Sequence, residues 1–484
     1  MIETENNLES DISRSQGSHN FRVLQPDSRS HIESQNVEIT ESEEKIYKKK
    51  KGEIEKGPKI SSNQTVLGGA LMMTNMCLGT SIFTFAFWTK SIGLVWILVL
   101  CFIVAGIDYW SIMNCSTVSS KLKEDDFSEI TEKLMGKKAR VILNSLIILY
   151  SYACVIMFYI LIFALFGRFI QSIKFSDYGT YNDFLENKWG KPYIKYPFFM
   201  GIAFLLSLMS LIKDMNKLKF SAYIGVGAVI YTLFVIMIQC HQYYNYYKEN
   251  VYIKEDQNTH LNLINISKGF TKDLIFFKGM ACIFGAYSCH TGIFPIFTGF
   301  KYQENGLKKM KFSVFYSVCL TTCLHIISIV CSYLTDPVTP EDVVIYRKQI
   351  GNGKDIAMTI SKLFVTLSLV FTLPGYFFGL RLSVANSLTG GKITSLFNII
   401  FTFLSMFICA FIAAIYDKVL NYMSYLGGFI TVFICYLYPS LLHVYSSGKK
   451  WTHWKNLLDL LAAAILCTIG LIAGIRTIID DVSV

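Results

Sequence analysis

Two apolar stretches carry residues that loosen a helix at points where a membrane-crossing helix would otherwise be continuous. The first, TVLGGALMMTNMCLGTSIFTFAFW, holds Gly79-Thr80-Ser81 at its centre and Asn75 four residues earlier. The second, DLIFFKGMACIFGAYSCHTGIFPIFTGF, holds Gly285, Gly292 and Pro295. Glycine, small polar residues and proline all weaken the hydrogen-bond ladder of a helix. The chemistry of such a break is ionic. Freed N–H groups at a half-helix start can hold a carboxylate. Freed carbonyls can coordinate a cation or an ammonium group. Taken singly, these glycines also read as close-packing positions between helices. Taken as a matched pair, they favour a binding site.

Asp108 lies inside another apolar run, VAGIDYWSIM. A carboxylate at membrane depth is expensive and marks an ion pathway by default. It could carry a coupled proton or attract a cationic substrate; the plainer reading is a hydrogen bond to a Tyr or Ser neighbour. His290 follows the second break and could gate or sense pH, or be a satisfied structural residue. Lys362 and His325 read as structural. There is no H-E-x-x-H, no acid cluster at one membrane face and no nucleophile elbow, so an enzyme is not expected. All 13 cysteines fall in apolar runs, where they read as small packing residues, and no paired CxxC marks a metal centre.

The elements that must position these groups are transmembrane helices. Hydrophobic residues make up 52% of the 484. They come in runs of about 20 or more, the length a helix needs to cross the hydrocarbon core. The runs are continuous rather than alternating, which excludes a β-barrel. About eleven spans are predicted, at roughly 65–88, 92–117, 140–168, 195–212, 219–241, 273–299, 312–334, 355–382, 394–415, 419–443 and 456–476. Residues 1–60 are polar and read as a disordered cytoplasmic tail ending in Lys48-Lys49-Lys50-Lys51. Residues 61–484 form the membrane domain. The short basic loops, including 118–139, are then internal, and the net charge of +10 reflects loops beside anionic lipid rather than nucleic-acid binding. The long loop 242–272 falls outside and carries Asn265-Ile266-Ser267, a glycosylation pattern. The interrupted spans are first and sixth, matching positions in two five-span halves. That pairing points to an inverted-repeat transporter with substrate held at the midplane.

The residues resemble the amino acid/auxin permease family, and within it the sodium-coupled neutral amino acid transporters and their vacuolar relatives. The resemblance covers about residues 62–476 and rests on four motifs in order. Asn75-Met-Cys-Leu-Gly79-Thr80-Ser81-Ile82 resembles N-x-x-x-G-[ST]-G-I-L. Ser288-Cys289-His290-Thr-Gly-Ile-Phe-Pro295-Ile296-Phe297 is similar to x-C-H-P-x-x-x-P-I-Y. Thr372-Leu373-Pro374 with Arg381 resembles T-x-P-x₆-R, and Gly427-Gly428 with Pro439 resembles G-[AG]…P.

The resemblance implies an all-α membrane protein with a LeuT-like 5+5 inverted repeat and an eleventh helix. It implies alternating access driven by a sodium (Na+) or proton (H+) gradient. Carried over by position, Gly79, Thr80 and Ser81 hold the substrate carboxylate. Asn75 helps hold substrate or ion, Gly285, Tyr287 and Cys289 belong to the span-six break, and Thr372 lies near a cation site. Three positions depart from the pattern. Ser81 replaces a usual Gly, and Ala86 stands where many members carry Pro or Ser. Val370 stands where sodium-coupled members often carry Thr, which removes an oxygen ligand and favours proton coupling.

The expected function is therefore secondary active symport of neutral amino acids by a monomer in the plasma membrane or a vacuolar or lysosomal membrane. No cofactor is expected beyond the coupling ion. The alternative is an amino-acid-sensing receptor of transporter type that signals through its N-terminal tail.

Overall fold

The computed structural model describes residues 64–78, 81–124, 126–174, 188–211, 219–247, 275–301, 303–337, 340–347, 350, 355–388, 394–416 and 418–482. All of them fall in the compact unit Pro58–Val484. The tail read at 1–60 and the Asn265 pattern lie outside the described residues, as do Gly79 and Thr80.

Every regular element among the described residues is helical. The first span is divided. It consists of α1 (Val66–Leu78), a 3-10 turn at Ser81–Phe83 and α2 (Phe85–Ile92). Neither half reaches the length of about 20 residues that one crossing needs. Then follow α3 (Leu94–Leu122), the short α4 (Phe127–Met135), α5 (Lys137–Lys174), α6 (Pro192–Ser210) and α7 (Lys219–Tyr247). The sixth span is also divided, into α8 (Ile275–Ala286) and α9 (His290–Lys301). The rest are α10 (Gly306–Thr335), α11 (Ile356–Leu388), α12 (Ser395–Ile415), α13 (Val419–Tyr425), α14 (Tyr438–Ser446) and α15 (Trp454–Val482). Nine segments among the described residues are long and apolar enough to cross a membrane. They coincide with the nine spans that the sequence reads as uninterrupted.

The outer faces of these helices expose large apolar side chains such as Phe102, Ile103, Leu404 and Phe411. So much apolar exposure suits lipid, not water. Inside, α5 lies along α11, and α10 packs on α1, α3 and α7.

Two local features go beyond the sequence reading. The segment read as loop 118–139 contains a helix, α4. Asp126 caps it, accepting from the backbone N–H of Ser128 at 2.7 Å and of Glu129 at 3.0 Å, and Gly136 ends it with φ 88°. Phe127 and Ile130 bury its apolar face. Span ten is not a plain α-helix either. Two π-helical stretches, Leu426–Thr431 and Phe433–Leu437, separate α13 from α14. The first stretch contains the Gly427-Gly428 pair, where backbones pack closely. A Cβ on Gly427 would lie 1.8 Å from the carbonyl oxygen of Ala281 on α8, and one on Gly428 would lie 2.6 Å from that of Gly470 on α15.

Candidate functional site

The residues between α8 and α9 are Tyr287, Ser288 and Cys289, none of them helical. Their polar groups are tied to neighbouring spans. The Tyr287 carbonyl accepts from the Cys77 thiol at 3.4 Å. Ser288 Oγ donates to the Tyr150 hydroxyl at 3.0 Å. On the other side of the site, the 3-10 turn of span one is held similarly. The Ser81 carbonyl accepts from Thr84 Oγ1 at 2.8 Å, and the Ile82 carbonyl accepts from Ser328 Oγ at 2.5 Å. Near the end of α1, the Met76 carbonyl accepts from the Tyr376 hydroxyl at 3.0 Å. Carbonyls freed by the breaks are thus supplied with side-chain donors, as buried backbone requires.

A cavity of about 40 Å³ lies between the two breaks. Met76, Cys77 and Ser81 of the first span face it, and so do Cys282 and Gly285 of the sixth. Tyr150, Cys154, Met157 and Phe158 of α5, Tyr376 of α11, and Met423 and Leu426 of span ten complete the wall. None of these is charged. Gly285 is an open point in that wall: a Cβ there would meet only the Gly427 Cα, at 3.9 Å.

Of the residues singled out in the sequence, Ser81 and Gly285 line this cavity. Asn75 is buried on the far side of α1. It presses on Gly225 of α7, where a Cβ would sit 2.0 Å from Asn75 Oδ1 and 3.1 Å from Ser368 Oγ of α11. Spans one, five and eight therefore meet at Asn75. Thr372 is buried one turn beyond Ser368 on α11. Tyr287 is fully buried, but its hydroxyl turns outward from the cavity, 3.0 Å from Cys101 Sγ and donating to Thr322 Oγ1 at 3.1 Å. Cys289 packs with Met73, Cys77 and Ile112. Gly79 and Thr80 lie outside the described residues.

Asp108 forms a second, separate group. It is fully buried, and its Oδ1 lies 3.7 Å from Nδ1 of the equally buried His290. Lys362 is also fully buried and donates to Ser172 Oγ at 2.8 Å. His325 stacks edge-on against Phe85 and Tyr287, each at 4.9 Å.

Sequence reasoning did not find the two cavity tyrosines. Tyr376 had a signal, since it lies two residues after Pro374 of the span-eight motif. Tyr150 had none, being one aromatic residue in an apolar run.

Known proteins resemble this chain in sequence. Sodium-coupled neutral amino acid transporter 7 of Xenopus laevis is 21% identical over 328 residues, 65% of each chain. The chain thus spans 65% of the length of that curated relative. Among solved structures, a nucleobase–cation-symport-1 family transporter, closed with bromovinylhydantoin bound, has a TM-score of 0.45 at 12% identity. That comparison covers 85% of this chain and 90% of the other. The likeness that decides the question runs almost the whole length of the membrane domain. Over residues 62–480 the sequence fits the pattern of the transmembrane amino acid transporter proteins, and the chain belongs to that family.

Proposed function

We propose that this protein is a secondary active symporter of neutral amino acids that works by alternating access. The observation that carries the reading is the uncharged cavity between two interrupted spans. A zwitterion needs an anion site and a cation site at one end, and helix breaks supply both as backbone dipoles. A charged side chain would need a counter-charge in the wall, and the wall has none among the described residues. The carboxylate is assigned to the segment Gly79, Thr80 and Ser81. Substrate side chains are assigned to the face made by Met157, Phe158 and Tyr376.

Asn75, Asp108 and Thr372 are assigned to ion coupling. Asp108 is the one of the three that can take up a proton, and Asn75 and Thr372, beside Ser368 and Gly225, are neutral polar supports. Neutral amino acids also fit the name of the relative from Xenopus laevis. Its sodium coupling is less readily transferred, because Val370 offers no oxygen where sodium-coupled members often carry Thr. The proton is therefore the proposed coupling ion. The N-terminus is placed in the cytoplasm, and the membrane is the plasma membrane or that of a vacuole or lysosome.

The test is uptake of a radiolabelled panel of the protein amino acids into proteoliposomes, under an imposed sodium or proton gradient. Uptake of neutral amino acids, stimulated by an inward proton gradient, is expected. Binding with no flux under either gradient would instead identify an amino acid sensor.

A further inference from the structure

Two buried titratable groups that the substrate cavity leaves unused, Asp108 and His290, meet between spans two, six and ten. Asp108 on α3 has 0% exposure, and neither of its carboxylate oxygens has a hydrogen-bond partner among the described residues. His290, the first residue of α9, also has 0% exposure, and its Nδ1 has no hydrogen-bond partner among them either. The other ring nitrogen is committed: His290 Nε2 lies 3.0 Å from Ser111 Oγ. Ser111 donates its one proton to the carbonyl of Cys435 in span ten. Its oxygen must therefore accept from His290 Nε2–H. In a neutral ring that leaves Nδ1 as a bare acceptor. It faces Asp108, which, when ionised, is an acceptor only. The pair lacks one proton.

We propose that Asp108 and His290 together form a proton-binding site, and that the proton they share is the one that drives transport. Bound, the proton sits on the carboxyl and is donated to Nδ1, or sits on Nδ1 and is donated to the carboxylate. The count is the same, and the pair is neutral either way; the shared proton would draw the two atoms from 3.7 Å to hydrogen-bond distance. Released, the proton goes to water, and the pair keeps one negative charge with no partner. Such a charge is too costly to stay buried. Release therefore requires spans two, six and ten to part and admit water.

The surroundings suit a single titrating unit. The groups that interact electrostatically with Asp108 are Cys77 of α1, Cys115 of its own helix, Cys289 of the span-six break, and Cys435 and Tyr436 of span ten. These are thiols and a phenol, neutral in the ordinary pH range. The His290 ring lies 6.4 Å from the Tyr436 ring. On α10, which packs on α3, His325 is turned to Phe85 and Tyr287. The link to substrate is short. His290 begins the second half of the broken span, and its neighbour Cys289 packs on Cys77 of the cavity wall.

This inference rests on the chain being a cation-driven transporter, so the experiment must separate the two. Wild type, Asp108→Asn, Asp108→Glu and His290→Ala are reconstituted in proteoliposomes. The probe is a mixture of the 20 radiolabelled protein amino acids, with a pH dye recording proton movement. With one proton per substrate, a pH step of one unit drives wild-type accumulation to about tenfold. Asp108→Asn and His290→Ala are expected to stay near onefold and to show no substrate-evoked proton movement. Asp108→Glu is expected to restore both, with a shifted pH profile. Proton-driven accumulation in Asp108→Asn equal to wild type would overturn the site. If that variant fails to insert, the wild-type dye signal decides: amino acid uptake without proton movement rejects the site and leaves the transporter reading standing. Absence of any wild-type flux rejects the transporter reading, and this inference with it.

Discussion

At the scale of single residues, the account turns on which side chains face the cavity and which only brace it. Gly285 faces it with nothing but the Gly427 Cα near its missing side chain. A leucine there has room to fold in, and the room it takes is the cavity itself. Gly285→Leu is therefore expected to insert normally and to lose uptake by at least an order of magnitude, measured as initial rate per unit of reconstituted protein. Tyr376 tests a bracing contact. Its hydroxyl holds the Met76 carbonyl at 3.0 Å, and losing one such bond costs about 1 kcal/mol, a factor of about five. Tyr376→Phe should raise the KM for uptake by about that factor while expression is maintained. Ser81 and Gly285 were legible in the sequence because helix-breaking residues are rare in apolar runs. Tyr150 was not, because a tyrosine in a membrane span looks the same whether it faces lipid or a cavity. The turn of Tyr287 away from the cavity, towards Cys101 and Thr322, was hidden for the same reason.

At the scale of elements, the continuous apolar runs of the sequence located all nine uninterrupted spans found among the described residues. Their ends were less legible: α5 runs from Lys137 to Lys174, well past the apolar run that announces it. A charged helix end costs little once it reaches the interface, so polarity marks the membrane edge and not the helix end. The helix α4 was missed because one turn-rich charged loop resembles another. Its Asp126 cap and Gly136 stop were the available signals. The Gly427-Gly428 motif was legible as a motif but its contacts were not. Its structural role is backbone contact between span ten, α8 and α15. Gly427→Val is expected to destabilise the protein by more than the usual overpacking range of about 1–3 kcal/mol, since the atom it meets is a main-chain carbonyl that no rotamer change can move. The check is loss of a monodisperse peak in detergent. A peak and melting temperature like those of wild type would contradict that role.

At the scale of the whole molecule, two divided spans stand first and sixth in the order of spans, and the cavity lies where they face each other. The division of the first and sixth spans was legible because it depends only on where apolar runs are interrupted. The convergence of Asn75 with Gly225 and Ser368, or of Asp108 with His290, was not. Such contacts join residues far apart in the chain, and one sequence carries no record of them. The central claim is that the breaks grip a zwitterion by both of its ends. It is tested most directly by competition against uptake of a labelled neutral amino acid, using the unlabelled amino acid, its decarboxylated amine and its deaminated acid. The account predicts that only the intact amino acid competes at concentrations near its own KM. Equal competition by the amine or by the acid would show that one end is not held, and would contradict it.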